Sequence, residues 1–274
     1  MFSEVQRAAR SQQQDTWQSG SDYESFMGRW SNKIAKQFIT WLAIPKDHYW
    51  LDVGCGTGTL SEVILNRNAP EAIHAIDASK HFVEYARHHI SDRRVRFEVT
   101  DARSLGAADG VYDAVVAGLV VNFMPQPDVV LAEMARVTSR GGTVAVYVWD
   151  YRDGMQMLSY FWDTAVELDG DAKPLDEGER FPLCQPQPLE TLFKSTGLVD
   201  VDVTALEIDM HFQDFAEYWT PFLGGQGPAG SYCLSLQNGK RSALRTRLRE
   251  RLPFNDDGSI DLTATAWAVR GLRV

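Results

Sequence analysis

Apolar residues are grouped in short runs over the first 150 residues, and polar or turn-forming residues separate the runs. The pattern predicts strands at 49–53, 72–77, 95–99, 112–118 and 143–149. Apolar residues three and four positions apart predict helices between strands, as in the run from 79 to 90. Because strands that alternate with helices form a parallel sheet with helices on both faces, we expect a doubly wound α/β core.

The pattern after residue 150 departs from a bare sheet. A helix is predicted from Met155 to Leu168, and further strands are predicted at 198–206 and 263–270. The stretch between these two strands is longer than an ordinary hairpin loop and contains its own helical segments. We therefore expect the second half to add two strands to the sheet, and to form a helical cap from residues 151–187 and 210–260.

The first predicted strand runs into a glycine-rich turn, Gly54-Cys55-Gly56-Thr57-Gly58, which opens a helix at Thr59 and Leu60. Glycines let the backbone turn tightly and let a ligand approach, and the backbone N–H groups of a helix N-terminus favour polar ligands. The spacing of Thr59 and Glu62 predicts a capping box at this helix. The second strand ends in Asp77, about 20 residues on, where ribose recognition needs an acid. The combination indicates a nucleotide-type site.

Two features distinguish this turn from the dinucleotide-binding fingerprint. That fingerprint needs a third glycine at position 59, which holds Thr59, and it lacks an acid at the position of Asp52. An acid followed by G-x-G-x-G resembles the first motif of class I S-adenosylmethionine-dependent methyltransferases. The resemblance covers roughly residues 45–150. Met-Gly-Arg-Trp-Ser at 27–31, Pro-Phe-Leu-Gly-Gly at 221–225 and Ala-Trp-Ala-Val-Arg-Gly at 266–271 resemble bacterial small-molecule methyltransferases of the quinone-methyltransferase-like type.

The resemblance implies a seven-stranded, mostly parallel, Rossmann-like sheet that binds S-adenosylmethionine and transfers its methyl group to a small-molecule acceptor. Asp101 and Ala102 would contact the adenine, and Tyr23 and Arg29 would lie over the methionine end. Asp101 as a turn residue and Arg29 as a solvated surface residue are alternatives that stay open. The predicted cofactor-binding residues are Gly54, Cys55, Gly56, Gly58, Thr59, Leu60, Asp77, Ala78, Phe82, Asp101, Ala102, Gly118, Leu119, Tyr23 and Arg29.

The acceptor side is less well marked. Tyr151 or His211 would be a base if the reaction needs one, and no residue is predicted to be catalytic. Aromatic side chains are more often core residues than pocket residues, so both interpretations stay open at these positions. The predicted acceptor-pocket residues are Trp149, Tyr151, His211, Trp219 and Phe222, and Phe161 and Trp162 are further aromatic candidates.

The predicted organisation has six parts. They are an N-terminal arm and helix over the cofactor (1–44), the cofactor-binding core (45–150), a first cap insertion (151–187), a core segment with the sixth strand (188–209), a second cap insertion (210–260) and the seventh strand (261–274). The loop at 221–228 is either a moving lid or a static turn.

Composition narrows the possible partners. The net charge of −10 disfavours binding to nucleic acid or to anionic lipid. The three cysteines and the histidines lack metal-ligand spacing, so no metal site is predicted. The first residues are polar and the longest apolar stretch, 114–124, is too short to span a bilayer, so we expect a soluble, cytoplasmic enzyme. The oligomeric state stays open.

Two other functions stay open at this point. A protein on this fold could retain the cofactor without methylating anything, or catalyse a rearrangement. A nicotinamide-dependent oxidoreductase is the third hypothesis, and Thr59 and Asp52 argue against it.

Overall fold

A computed structural model describes residues 23–274, so the predicted N-terminal arm, residues 1 to about 20, lies outside the described range. One sheet of seven strands organises the molecule, in the order β3-β2-β1-β4-β5-β7-β6. β1 to β5 are parallel, and β7 runs antiparallel to both of its neighbours. The strands are β1 Tyr49–Val53, β2 Ala72–Asp77, β3 Val95–Val99, β4 Tyr112–Gly118, β5 Thr138–Trp149, β6 Val199–Phe212 and β7 Ile260–Leu272. The predicted fold class is confirmed.

Helices cover this sheet and explain the apolar runs of its central strands. In β1, residues 50–53 are all buried, and in β4 residues 114–117 are buried, as expected for strands covered on both faces. The edge strand β3 shows a different pattern, because only Phe97 is fully buried there.

The helices of the first half follow the predicted order. The described part of the chain opens on a π-helical segment and a long amphipathic helix, which packs against the helix after β1 and against β6. The helix that follows β4 packs against β4 and β5. The helical segments of the first half are Glu24–Gly28, Arg29–Leu42, Thr59–Asn68, Lys80–His89, Val121–Phe123 and Pro127–Val137.

The second half adds the cap and the last two strands. The cap helix Asn238–Arg251 buries Leu244 and Leu248, while Arg245 and Arg249 are exposed. Arg241 is half-buried and donates to the carbonyl oxygens of Leu234 and Leu236. The other helical segments of this half are Gln156–Leu168, Gly170–Leu175, Glu177–Arg180, Pro186–Ser195, Phe215–Trp219, Thr220–Gly224 and Gly227–Ser235. In the part of the chain that the structure covers, no helix combines the length and the apolar composition needed to cross a membrane.

β6 and β7 are both longer than predicted. β6 continues to Phe212 and pairs there with Ile260, so residues 210–212 belong to the sheet and not to the cap. The physical reason is an alternation of buried and exposed side chains, in which Ile208, Met210 and Phe212 are buried.

The helix Thr59–Asn68 starts differently from the prediction. Its N-cap residue is Gly58, with φ of 92°, and no side chain caps it, so the predicted capping box is wrong. Thr59 instead directs its hydroxyl toward Thr57 and Glu24.

The topology places a cleft where ligands bind in such sheets. The connection from β1 leads to β2 on one side, and β4 lies on the other side of β1. Ligands of open α/β sheets bind outside the carboxyl ends of the strands at such a switch point. The glycine turn after β1 and the segment after β4 both lie there.

Candidate functional site

A cavity of about 450 Å³ opens at the carboxyl ends of the parallel strands. Its volume is within the range of roughly 300–1,000 Å³ that is usual for small-ligand pockets. All the predicted cofactor-binding residues line it except Gly58 and Arg29. The sequence prediction therefore brought together residues from the ends of β1, β2, β3 and β4, although their roles as cofactor contacts stay predictions.

Glycine is needed at Gly54 and at Gly56 for different structural reasons. At Gly56, with φ of +53°, a Cβ would meet no atom within 4 Å, so the backbone faces open cavity. At Gly54, with φ of +71°, a Cβ would come within 2.8 Å of the Val120 side chain. Gly54 therefore lets the segment after β4 approach the turn, and Gly56 leaves the space that a ligand needs.

Gly58 does not line the cavity. A Cβ on Gly58 would lie 2.6 Å from Cδ1 of Ile90, and its φ of +92° also favours glycine. This glycine therefore allows the helix to start close to a packed side chain. The predicted ligand role at Gly58 has no support in the geometry.

Asp77 is held across the glycine turn. Its carboxylate accepts hydrogen bonds from the backbone N–H groups of Gly56 (3.0 Å) and Ser79 (2.7 Å). Burial raises the pKa of Asp77, while these two donors lower it. Because a carboxylate has lone pairs for about four hydrogen bonds, it keeps capacity for ligand hydroxyl groups.

Asp101 and Ala102 form the part of the wall that follows β3. The Asp101 carboxylate pairs with the Arg103 guanidinium at 2.6 Å and also accepts the backbone N–H of Arg103. The Arg103 side chain lowers the pKa of Asp101 to about 2, so this carboxylate is ionised at neutral pH. A turn role and a ligand role thus coexist at this position.

Asp52 is the acid that precedes the glycine turn, and it also lines the cavity. It is fully buried, and one carboxylate oxygen accepts the Ser61 hydroxyl at 2.7 Å. The other oxygen has no hydrogen-bond partner within residues 23–274. Burial raises the pKa of Asp52 to about 7, Ser61 lowers it, and the nearby Asp77 raises it further. A buried, half-satisfied carboxyl in a cavity wall suits a polar or cationic ligand group.

The N-terminal segment closes the cavity from the side of the glycine turn. Tyr23 lines the cavity, with its ring edge-on to Phe82 and its hydroxyl 2.9 Å from Oγ of Ser31. Glu24, which the sequence did not mark, accepts a hydrogen bond from the Thr57 hydroxyl at 2.6 Å. These contacts tie the segment before β1 directly to the turn.

Arg29 lies elsewhere. Its guanidinium stacks over the Trp30 ring at 4.1 Å and pairs with the Glu217 carboxylate, and 44% of its side chain is exposed. The amphipathic helix buries Trp30 and turns Arg29 outward, where the cap supplies Glu217. The predicted contact with the cofactor carboxylate is therefore not supported, and the alternative of a partly solvated arginine describes it better.

Only some of the predicted acceptor-pocket residues line the cavity. Trp149 and Tyr151 line the cavity, whereas Trp219, Phe222 and His211 do not. Phe222 is fully buried and stacks on Phe161 with ring centroids 4.5 Å apart, as a core residue does. Trp219 is buried in the same aromatic cluster.

His211 is remote because it lies on the exposed face of β6. Its Nδ1 is 2.7 Å from a carboxylate oxygen of Asp261 on the neighbouring strand, and 56% of its side chain is exposed. A role as a base for a reaction in the cavity is excluded by this position.

Sequence reasoning missed much of the acceptor side of the wall. The apolar part was hidden because its residues come from separate segments whose pattern is that of a core. Glu177 was hidden in an acidic stretch that is typical of a solvated loop. The missed lining residues include Phe26, Met27, Phe123, Met124, Tyr147, Leu158, Glu177, Gly227 and Pro228. In residues 23–274, no group of three or more His, Cys, Asp or Glu side chains is arranged to hold a metal ion.

The strand order, the antiparallel seventh strand, the glycine turn, the acids at the carboxyl ends of β1 and β2, and the acid after β3 are those expected of a class I methyltransferase core. Residues 51–146 match the methyltransferase domain family. The predicted resemblance is confirmed over these residues, which are similar to a methyltransferase domain.

Individual relatives agree with this class. A 2-methyl-6-phytyl-1,4-hydroquinone methyltransferase from Synechocystis is 28% identical over 194 residues, which cover 70% of this chain and 57% of that protein. The chain spans about half the length of the curated relatives that it matches. The chain is thus a relative of small-molecule methyltransferases.

Solved structures share the fold. Phosphoethanolamine N-methyltransferase 2 from Haemonchus contortus, in complex with S-adenosyl-L-methionine, aligns with a TM-score of 0.59 at 16% identity, over 100% of this chain and 60% of that one. A protein described as a methyltransferase from an antibiotic biosynthesis pathway in Anabaena variabilis aligns with a TM-score of 0.60 at 20% identity, over 86% and 96% of the chains.

Proposed function

We propose that the protein is an S-adenosylmethionine-dependent methyltransferase that acts on a small-molecule acceptor. The observation that carries the proposal is the pairing of Gly56 and Asp77. Gly56 leaves open space at the turn, and Asp77 is oriented beside it by the Gly56 N–H group. This arrangement suits a nucleoside whose ribose hydroxyls hydrogen-bond to a carboxylate.

The residues present fit the rest of the cofactor. Asp101 and Ala102 line the cavity after β3, where we infer that the adenine binds. Tyr23 and the oxygen of Asp52 that has no partner within residues 23–274 lie in the cavity wall near the turn, where a charged methionine end would lie. The cofactor, when bound, supplies an activated methyl group on a sulfonium. The chain's task is to align donor and acceptor and to exclude water, and alignment alone is worth about 7–11 kcal/mol.

The acceptor side favours an apolar or aromatic molecule. Phe26, Met27, Phe123, Trp149 and Leu158 line this side. Relatives include methyltransferases named for a phytyl hydroquinone and for ubiquinone or menaquinone biosynthesis, and these acceptors also combine a ring with an apolar chain. The net charge of −10 disfavours a nucleic-acid acceptor.

Calorimetry and a turnover assay test the proposal. We expect S-adenosylhomocysteine to bind and NADH to produce no heat, because the turn lacks the third glycine of the dinucleotide fingerprint. With S-adenosylmethionine and a panel of phenols, hydroquinones, amines and carboxylic acids, we expect release of S-adenosylhomocysteine and one methylated product.

Three results would contradict it. Binding of NADH alone would favour an oxidoreductase. No binding of either nucleoside at high micromolar concentration would remove the cofactor assignment. Tight binding of S-adenosylhomocysteine without turnover of any acceptor would favour a protein that retains the cofactor for another purpose.

A further inference from the structure

Glu177 is a buried carboxyl in the wall of the cavity, contributed by the first cap insertion. Only 3% of the residue is exposed. It begins the one-turn helix Glu177–Arg180, which is positioned by a hydrogen bond from the Gly178 N–H to the Asp176 carboxylate (2.9 Å). A Cβ on Gly178 would lie 3.1 Å from the carbonyl oxygen of Tyr151, so glycine allows this helix to approach the end of β5.

The Glu177 side chain is oriented but not neutralised. The indole N–H of Trp162 donates a hydrogen bond to one carboxylate oxygen. Within residues 23–274, no lysine, arginine or histidine forms an ion pair with it, and its other hydrogen bond comes from its own backbone N–H group. A buried carboxyl without a cation is held mainly in its protonated form near neutral pH, so its ionised form is a strong proton acceptor.

The other ionisable groups of the cavity do not compete with Glu177 on this side. Burial raises the pKa of Tyr147 and of Tyr151 well above 10, so both phenols stay protonated. Asp52 and Asp77 are bound into the glycine turn and its helix. Glu177 is therefore the group of the cap side that can change its charge near neutral pH.

The surroundings set that charge. Burial raises the pKa of Glu177 to about 8, and Asp176 raises it as well. Its own backbone N–H group, the Trp162 N–H and Arg180 lower it. The titratable groups that face it from other segments are the Tyr151 phenol and the Cys184 thiol, and burial keeps both of these protonated. A base is most effective when its pKa is near the working pH.

We propose that Glu177 takes the proton of a hydroxyl group on the acceptor, and that the acceptor is an aromatic hydroxyl compound. The inference rests on the proposed methyltransferase function and deepens it. A neutral hydroxyl group can be buried against an apolar wall without the desolvation cost that a charged ammonium group would have. Trp149, Tyr151 and Phe123 offer aromatic faces for the ring.

The proposed step moves one proton to Glu177 and one methyl group to the acceptor. The hydroxyl proton moves to a carboxylate oxygen of Glu177, and the electron pair that it leaves on the acceptor oxygen forms the bond to the methyl carbon. The electron pair of the broken carbon–sulfur bond stays on sulfur. The Glu177 carboxyl returns its proton to water when the product leaves.

A matched pair of variants tests the proposal. Glu177→Gln keeps an acceptor for the Trp162 N–H but cannot take a proton, and Glu179→Gln changes an exposed glutamate on the same helix. We expect both variants to bind S-adenosylhomocysteine like the wild type. With aromatic hydroxyl acceptors, Glu177→Gln should lower kcat by about a hundredfold or more. In the wild type, log kcat should rise with pH and level off near the pKa of Glu177, and Glu177→Gln should remove this rise.

A binding readout is independent of turnover. The protein loaded with S-adenosylhomocysteine should bind 2-naphthol at least tenfold more tightly than 2-methoxynaphthalene, and Glu177→Gln should abolish the preference while Glu179→Gln keeps it. The inference is overturned if the two probes bind equally or not at all, if Glu177→Gln keeps its kcat and pH profile, or if only amines or carboxylic acids are methylated. Normal binding of S-adenosylhomocysteine together with any of these results would leave the proposed cofactor site intact.

Discussion

The two ends of the cavity are built in different ways. At the glycine-turn end, ligand-facing groups come from short local motifs at the ends of successive strands, and backbone N–H groups do much of the orienting. At the cap end, the wall is assembled from segments far apart in the chain, such as 26–27, 123–124, 151–158 and 227–228. The first end is therefore set by strand topology, and the second by long-range packing.

The difference suggests a division of tasks. Because the sheet fixes the strand ends, these ends form a rigid binding site for a ligand whose shape does not vary. Segments of the cap can change without disturbing the sheet, so they are suited to determine which acceptor is used. If the division holds, changes at one end should leave the property of the other end unaltered.

The largest expected effect is at the open glycine of the turn. Gly56→Val adds a branched side chain at positive φ in the space beside Asp77, and we expect affinity for S-adenosylhomocysteine to fall by about a hundredfold or more. Gly58→Val is the matched control, because its side chain would collide with Ile90 instead. It should lower the melting temperature more than the cofactor affinity. Calorimetry and thermal unfolding on both variants would reveal the opposite pattern if the roles were reversed.

Removal of the Asp77 carboxylate should have the next largest effect. Asp77→Ala should weaken binding of S-adenosylhomocysteine by about 1.5–3 kcal/mol, because ribose hydroxyls would lose a charged acceptor. Asp256→Ala, at an exposed position before β7, is the control and should bind normally. An unchanged dissociation constant for Asp77→Ala in calorimetry would place the nucleoside elsewhere.

A change at the cap end should affect stability but spare the cofactor. Trp162→Phe removes the donor to Glu177, and we expect an additional loss of about 1–3 kcal/mol in the free energy of unfolding relative to Trp50→Phe. Trp50 is the matched control because it is equally buried while its indole N–H has no partner within the described chain. Urea denaturation measures both variants. Equal losses would mean that the Trp162 hydrogen bond contributes little, and a large loss of cofactor affinity would contradict the division between the ends.

The last expected effect concerns the pH dependence of stability. Burial raises the pKa of Asp52 to about 7 in the folded protein, above its ordinary value of about 3.9. Between about pH 4 and 7 the unfolded chain gives up this proton while the folded chain keeps it, so the contribution of Asp52 to stability falls as pH rises through that window. Asp52→Asn should therefore gain stability relative to the wild type as pH rises from 4 to 7. Parallel curves of unfolding free energy against pH would contradict the burial argument.

The sequence predicted the sheet well because its strands are local signals. Buried runs such as 50–53 and 114–117 need no distant partner to be recognised. The sequence prediction ended β6 at Leu206 because acidic residues interrupt its apolar positions. Only the pairing with β7 shows that the acidic and apolar residues alternate between the two faces of one strand. The cofactor end was predictable for the same reason, since the acids at the ends of β1 and β2 and after β3 lie at fixed positions relative to their strands.

The remaining errors and omissions all depend on distant contacts. Arg29 finds its partner in Glu217, 188 residues further along the chain. Gly58 differs from Gly56 only because Ile90 packs beside it. The sequence around Glu177 is typical of a solvated loop, and only the folded cap brings its carboxylate to the indole N–H of Trp162. The loop at 221–228 illustrates the limit as well, because Phe222 and Gly225 to Pro228 are buried there, which favours a packed turn over a lid.

The position of β7 between β5 and β6 has a consequence for the order in which the protein is made. β6 touches the rest of the sheet only through β7, and the helix Arg29–Leu42 packs partly against β6. During synthesis, β1 to β5 can pair as they emerge, but β6, the cap segments around it and one flank of the first helix must wait until residues 260–272 leave the ribosome. Contacts between segments so far apart in sequence form slowly. The glycine-turn end of the cavity can therefore form before the cap end. A nascent chain that binds a nucleoside at the glycine-turn end would have its first five strands stabilised while the rest is still being translated.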